Sequence, residues 1–412
     1  MKKVLMIAYH YPPVGSSSGV HRTLKFSQYL LEFGWEPIIL TVHPRVYSAV
    51  NHDQMRDIPG SVHVSRAFAL DVAKHLSLFG SYPELIAMPD RWNTWWFGGV
   101  LEGWRLIRKY KPDIIWATYP IATAHLIGLT LSRLSGIPLV ADYRDSMTEI
   151  NYPENSTRRG VYRWIEKKVV RHSKMVIFTT PGTKNMYIDR YPNLDQKKWT
   201  VIENGFDEEK FEQVEARNRN KSNGKLVFTH SGLLYPLERN PVHFFEAISE
   251  LKKCGDISAE TLEIRLRASG NEEEYEKITK EKNIDDIISF LPSVSYSKAL
   301  EEMLATDGLL LFQAKNCNHQ IPAKIYEYIR ARRPIFAMTD PSGDTANVLQ
   351  TIGIGTISIL DSQNDIKIKL KDFISQVQNK TAPVPDDVTV EKYSRRSGAE
   401  ELARILGKAI AD

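Results

Sequence analysis

The feature that most restricts how this chain can fold is an alternation of short apolar runs with helical stretches, completed once and then begun again. Residues 3–8 read as a buried strand, 20–33 as a helix that stops at Gly34, and 36–42 as a second strand. Strands follow at 113–118, 138–142 and 175–180, with helices at 121–135, ending at Gly136, and at 158–172. The alternation restarts with strands near 225–230, 262–268, 287–291, 308–313, 334–338 and 355–360. Helices separate them near 241–253, 272–282, 295–305, 322–332, 343–351 and 363–378. Short apolar strands with helices between them belong to parallel sheets covered on both faces. The expected fold is therefore α/β, with two doubly wound parallel-sheet (Rossmann-like) domains and ligands at the carboxyl ends of the strands. A length of 412 residues suits two cores better than one. We place the first domain at 1–203, a linker rich in Asn and charge at 204–224, and the second domain at 225–390. A last helix, 391–412, follows the Pro383-Val384-Pro385 break.

Composition narrows the function classes. Apolar and charged fractions of 42% and 25% are those of an ordinary globular protein. A net charge of +4 permits attraction to phosphorylated substrates or anionic lipid and is too diffuse to argue for nucleic acid. Cys254 and Cys317 have neither metal-ligand spacing nor a disulfide framework, which fits a reducing cytoplasm. The apolar run at the N-terminus is short and meets Tyr11-Pro12-Pro13 without a small-residue cleavage site. No apolar run approaches the ~20 residues needed to span a bilayer. The expectation is a cytoplasmic protein, soluble or peripheral at the membrane's inner face.

Five segments carry the chemistry. The stretch Gln320 to Tyr328 follows the apolar run Leu309 to Phe312 and reads as a strand, a loop and a helix opened by Pro322. A helix start at Pro322, Ala323 and Lys324 offers backbone N–H groups and a positive dipole end to a phosphate. Lys324 and Glu327 lie three apart on one helix face, so a cation meets a diphosphate where a carboxylate can accept from sugar hydroxyls. That pairing suits a nucleotide sugar. After the first strand comes Tyr11-Pro12-Pro13-Val14-Gly15-Ser16-Ser17-Ser18-Gly19-Val20-His21-Arg22. Gly15 and Gly19 allow close backbone approach, and Arg22 favours an anion; a flexible loop is the ordinary alternative. In Ala141-Asp142-Tyr143-Arg144-Asp145 a strand runs into charge, which marks Asp142, Arg144 and Asp145 as candidates for catalysis, or as a brace for the loop. Thr229-His230-Ser231-Gly232, with Arg239 after it, ends the second domain's first strand. Gly232 permits ligand approach there, and Arg239 offers bidentate phosphate contacts. In the helix 158–174, Arg159, Arg163, Lys167 and Arg171 recur every four residues, with Val161, Trp164, Ile165 and Val169 assigned to the opposite face. Such a face can touch anionic membrane, although a solvated basic surface is the commoner outcome. Trp92, Trp95, Trp96 and Trp104 read as core packing sooner than as a lipid or sugar platform.

Taken together these segments resemble the retaining nucleotide-sugar glycosyltransferases of family 4, whose two domains face a cleft in the GT-B architecture. The likeness covers nearly the whole chain, through the YPPxG…R loop, the D-[FY]-R-D segment and Asn204-Gly205-Phe206-Asp207, similar to the family's N-G-V-D. It implies that Glu327, matching the second glutamate of E-x7-E, holds the donor ribose, and that Gly270 and Leu291, in Phe290-Leu291-Pro292, line the base. His319 stands where the first glutamate would be, on the donor sugar. Leu233 and Arg239 stand near the usual Arg…Lys phosphate pair, and Lys324 supplies the missing cation. The last helix is expected to cross back onto the first domain. The implied activity is transfer of a hexosyl unit, with retention, from a nucleoside-diphosphate sugar to a saccharide or lipid-linked acceptor. The setting it implies is surface polysaccharide or lipopolysaccharide assembly. No metal or other cofactor is expected, since Asp142 and Asp145 do not form an Asp-x-Asp motif. The His319 and Leu233 departures keep a catalytically silent nucleotide-sugar-binding protein in view, and an epimerase shares the same two-domain fold.

Overall fold

The computed structural model describes residues 1–15, 19–75, 82–215 and 224–411. Ser16, Ser17 and Ser18 and most of the polar segment 216–224 lie outside the described residues. The chain forms two compact units, Met1–Asn204 with Arg395–Asp412, and Gly205–Ser394.

The first unit is built on a seven-stranded parallel sheet in the order β3-β2-β1-β4-β5-β6-β7. Its strands are β1 (Lys2–Ile7), β2 (Trp35–Val42), β3 (His63–Ala67), β4 (Ile114–Thr118), β5 (Leu139–Tyr143), β6 (Met175–Phe178) and β7 (Trp199–Val201). Its helices are α1 (Val20–Tyr29), α2 (Val72–His75), α3 (Trp95–Tyr110), α4 (Ala122–Ser135), α5 (Ser156–His172) and α6 (Pro181–Arg190). Successive side chains of a strand point to opposite faces, and β1 shows what each face packs. Leu5 and Ile7 join a core with Trp95, Leu106, Ile127, Leu131, Ile165 and Val169, so α3, α4 and α5 cover one side. Val4 and Met6 join a second core with Leu24 and Phe26 of α1. α1 ends at Tyr29, short of the expected Gly34, and the chain reaches β2 through a turn.

The second unit holds a six-stranded parallel sheet in the order β10-β9-β8-β11-β12-β13. The strands are β8 (Leu226–Ser231), β9 (Leu262–Arg267), β10 (Ile288–Leu291), β11 (Gly308–Phe312), β12 (Ile335–Met338) and β13 (Ile357–Ser358). Around them lie α7 (Glu208–Glu215), α8 (Val242–Lys253), α9 (Glu272–Glu281), α10 (Tyr296–Ala305), α11 (Lys324–Ala331), α12 (Asp344–Thr351), α13 (Gln363–Gln378) and α14 (Asp387–Lys392). Residues 208–215, read from sequence as linker, are this unit's helix α7. Its Phe211 and Val214 are buried with Leu300, Met303 and Tyr326, and Arg330 pairs with both Glu208 and Glu215. The expected last helix is two helices. α14 stays in the second unit, whereas α15 (Arg395–Ala411) buries Leu402, Ile405 and Leu406 in the first unit's core beside α1.

Strand order reverses direction between β1 and β4 in the first sheet and between β8 and β11 in the second. The carboxyl ends at those two points are where open α/β sheets place ligands.

Candidate functional site

In the second unit the reversal point gathers the loop after β8, the loop after β11 and the start of α11. Lys324 is half-buried and donates from Nζ to His230 Nε2 at 3.2 Å. His230 is wholly buried on β8, and its Nδ1 lies 2.8 Å from the Leu310 carbonyl oxygen. A carbonyl can only accept, so Nδ1 carries the proton and Nε2 presents its lone pair to Lys324. Burial, with the Lys324 charge, holds the His230 pKa well below its usual range, which keeps this arrangement neutral on the histidine side. Burial and the Arg239 guanidinium push Lys324 down to about 7, against an opposing pull from Glu327. The result is an amine fixed in place, whose ammonium form an added anion would stabilise. Gly232 has φ of +110°, and a Cβ there would stand 3.0 Å from the Lys324 nitrogen, so glycine is required by both backbone and lysine.

One turn along α11, Glu327 accepts from the Tyr296 hydroxyl at 2.8 Å. The helix begins two residues later than Pro322. The Ile325 and Tyr326 N–H groups bond to the carbonyls of Pro322 and Ala323, and no side chain caps the start at Ala323. The start of α11 thus offers Lys324 and the beginning of the turn, not a full ring of free amides. His319 is half-buried in the preceding loop. That loop is held by Gln313, whose side-chain amide donates to the carbonyls of Cys317 and Gln320 at 2.9 and 2.8 Å. Arg239 donates to the Leu233 carbonyl at 3.2 Å. Leu233, Gly270 and Leu291 line a cavity of about 480 Å³ at the ends of β9 and β10, together with Ala268, Phe290 and Pro292. Glu272, Glu276 and Ser293 complete its lining, and Gly270, with φ of +66°, turns the chain around its rim.

The first unit sorts its candidates differently. Arg22 and Asp142 are 4% and 0% exposed and bond to each other, Nη2 to Oδ1 at 2.8 Å and Nε to Oδ2 at 3.3 Å. Asp142 also accepts from Thr118 at 2.7 Å, and Arg22 donates to the carbonyls of Ile202 and Glu203 at 3.0 and 3.1 Å. Their sequence-based assignments, Arg22 to an anion and Asp142 to catalysis, therefore give way to a structural one. The pair ties α1, β4, β5 and the end of β7 together, and neither group is turned to a ligand. Arg144 donates to the Gly19 carbonyl at 2.5 Å, and a Cβ at Gly19 would collide with that guanidinium. Gly15 is pressed against the backbone of Val50 and Asn51, with 3.1 Å available for a Cβ. Both glycines thus have internal reasons to be glycine. Asp145, next along, has an exposed side chain.

Sequence reasoning missed the support of the Met147–Thr148 segment that follows Asp145. Glu166 is fully buried on α5 and accepts from Tyr187, Tyr191 and Arg190 at 2.8, 2.7 and 2.7 Å. Arg190 also donates to the Thr148 carbonyl at 2.8 Å, and the Met147 N–H donates to the Tyr187 hydroxyl at 3.0 Å. A charge among the buried positions of a helix was the available signal. His10, just past β1, is held neutral, pushed down to about 3 by burial and by Arg144.

Residues 20–210 match the profile of Glycosyltransferase Family 4. No curated protein matches the chain in sequence. Among solved structures, sucrose-phosphate synthase from Thermosynechococcus elongatus superposes with a TM-score of 0.68 at 13% identity over 100% of both chains. HepE from Anabaena, solved in complex with UDP-glucose, gives 0.62 at 13% identity over 99% of this chain and 100% of its own. WaaG, a glycosyltransferase involved in lipopolysaccharide biosynthesis, gives 0.60 at 13% identity over 99% and 98%. At such identities the superpositions speak for the fold alone. With two parallel sheets in these orders, the chain has the GT-B fold, and its residues 20–210 are similar to Glycosyltransferase Family 4.

Proposed function

We propose that the protein transfers a hexosyl unit from a nucleoside-diphosphate sugar to an acceptor hydroxyl with retention at the anomeric carbon. The observation that supports this most is the Lys324–His230 pair beside Glu327 at the strand reversal of the second unit, with the Leu233–Gly270–Leu291 cavity at the neighbouring strand ends. The base occupies that cavity, Glu327 accepts from the ribose hydroxyls, and Lys324 and Arg239 meet the diphosphate. The bond from C1 to the diphosphate oxygen breaks with its electron pair leaving on phosphate. The acceptor oxygen bonds C1 on the same face, and its proton passes to the departing phosphate oxygen. Fixed cations stabilise the charge that grows on the leaving group. In the first unit, Asp145 orients the acceptor hydroxyl. The HepE complex makes UDP-hexoses the donors to try first, and WaaG's pathway points to saccharide or lipid-linked acceptors of cell-surface assembly.

Two substitutions test the division of roles. Asp145→Asn should leave the Kd for a nucleoside diphosphate nearly intact while turnover falls about 10²-fold, the scale of a lost positioned polar group. Lys324→Ala should weaken both, because the diphosphate is contacted before and during departure. Lost donor affinity in Asp145→Asn with full activity in Lys324→Ala would reverse the assignment. Donor binding without transfer would identify a silent binding protein, and interconversion of the donor sugar an epimerase.

A further inference from the structure

The first unit carries an apolar stripe that its own core does not use. On α3, Phe97, Leu101 and Trp104 follow at intervals of four and three, so they share one helix face. They are 70%, 76% and 36% exposed, while Trp95, Gly99 and Leu106 on the other face are buried. Phe68, also exposed, lies against this helix, since a Cβ on Gly98 would strike its carbonyl. Exposed Leu85 and Ile86 flank the start of α3, where Asn93 donates to the Ile86 carbonyl at 2.7 Å. Single exposed apolar residues are normal, but a run on one helix face with apolar neighbours marks an interaction site.

Charge says what covers it. α3, α4 and α5 lie side by side on one side of the sheet, so their outer faces look the same way. They carry three, one and six lysines and arginines respectively, against Glu102 and Glu166 alone. Glu166 is wholly buried, and Glu102 is paired with Arg105 at 2.6 Å. The whole chain is only +4, so the positive charge is concentrated here. Trp164, expected on the buried side of α5, is instead exposed among Arg163, Lys167 and Lys168.

We propose that this helical face docks on an anionic lipid surface, with Phe97, Leu101 and Trp104 entering the headgroup boundary and the basic residues of α5 meeting the phosphates. Trp, Phe and Leu beside Lys and Arg is the composition of an interfacial helix. Stable attachment to a bilayer takes two signals, and this face has both, apolar insertion on α3 and polybasic attraction on α5. Aliphatic Leu101 and Leu85 have no use on a nucleic acid, whose contacts are charged and aromatic. The proposal is independent of the transferase reading, since none of these residues belongs to either candidate site.

Co-sedimentation of the full chain with vesicles of phosphatidylglycerol in phosphatidylcholine tests it. Wild type should bind these, bind pure phosphatidylcholine far less, and keep part of its binding in high salt. Phe97→Gln with Leu101→Gln should lower the partition coefficient roughly tenfold or more and remove the salt-resistant part. Lys167→Gln and Arg171→Gln should each lower it about fivefold at low salt. These side chains are exposed and glutamine suits a helix, so melting temperatures should not move. Absence of wild-type binding, or unchanged binding by the Phe97/Leu101 variant, overturns the proposal. Full release by salt, together with equal affinity for duplex DNA, would make the face a polyanion surface instead.

Discussion

Lys324 holds its proton loosely, and that makes one equilibrium of the second unit readable by pH. A free lysine keeps its charge to about 10.5, whereas burial and Arg239 bring this one to about 7. Between those values the unfolded chain binds more protons than the folded one, so this group's contribution to stability rises with pH across that window. Ligand binding runs the other way. A diphosphate favours the ammonium form and draws the pKa back up, so above pH 7 its binding must take up a proton. At about pH 8, calorimetry of a nucleoside diphosphate in two buffers of different ionisation heat should report uptake of about one proton, and Kd should weaken as pH climbs. In Lys324→Arg the charge is permanent and the uptake should vanish. Identical heats in both buffers for wild type would remove Lys324 from the phosphate.

At the scale of elements, the carboxyl end of β5 divides into a buried half and an exposed one. Arg22→Ala would leave the Asp142 carboxylate buried without its cation, a loss of about 3–5 kcal/mol. Urea unfolding should show that loss in the first unit's transition, with nucleoside diphosphate affinity unchanged; a fall in affinity would restore Arg22 to the ligand. The strand and helix alternation was legible because β1, β4, β5 and β11 are short apolar runs and Gly136 stops α4. α3 was not, because Trp-Trp-Phe-Gly-Gly-Val-Leu has no polar stripe and three glycines weaken a helix. Those glycines are a packing device: a Cβ at Gly99 would stand 2.5 Å from Ile127 of α4. Edge strand β3 hid behind its polar residues His63, Ser65 and Arg66, and α7 behind four glutamates, a glutamine and a lysine with only Phe211 and Val214 to anchor it. The D-x-R-D run was visible as charge at a strand end. Which of its members faces outward depends on Arg22, 120 residues away, and Lys324's support depends on His230, 94 residues away. Local pattern carries no information about such partners.

At the scale of the molecule, the chain passes from the first unit to the second and returns for α15. Leu402, Ile405 and Leu406 are buried with Leu24, Phe26 and Trp116, and burying each contributes roughly 1.5–3 kcal/mol. That sum rivals the ~5–15 kcal/mol net stability of a typical domain. A chain ending at Ser394 should lose the first unit's thermal transition and keep the second's; retention of both would show α15 to be dispensable. The same return governs the order in which the protein is made. As the nascent chain leaves the ribosome, residues 205–394 are complete as soon as they emerge and can fold at once. Residues 1–204 must wait for Arg395–Ala411, made roughly 10–40 s after them at ordinary synthesis rates. Through that interval the side of the sheet bearing Val4, Met6 and Trp116 has, among the described helices, α1 alone over it. A bare apolar sheet face is what chaperones bind, so until α15 arrives the first unit is the part that most needs a holdase.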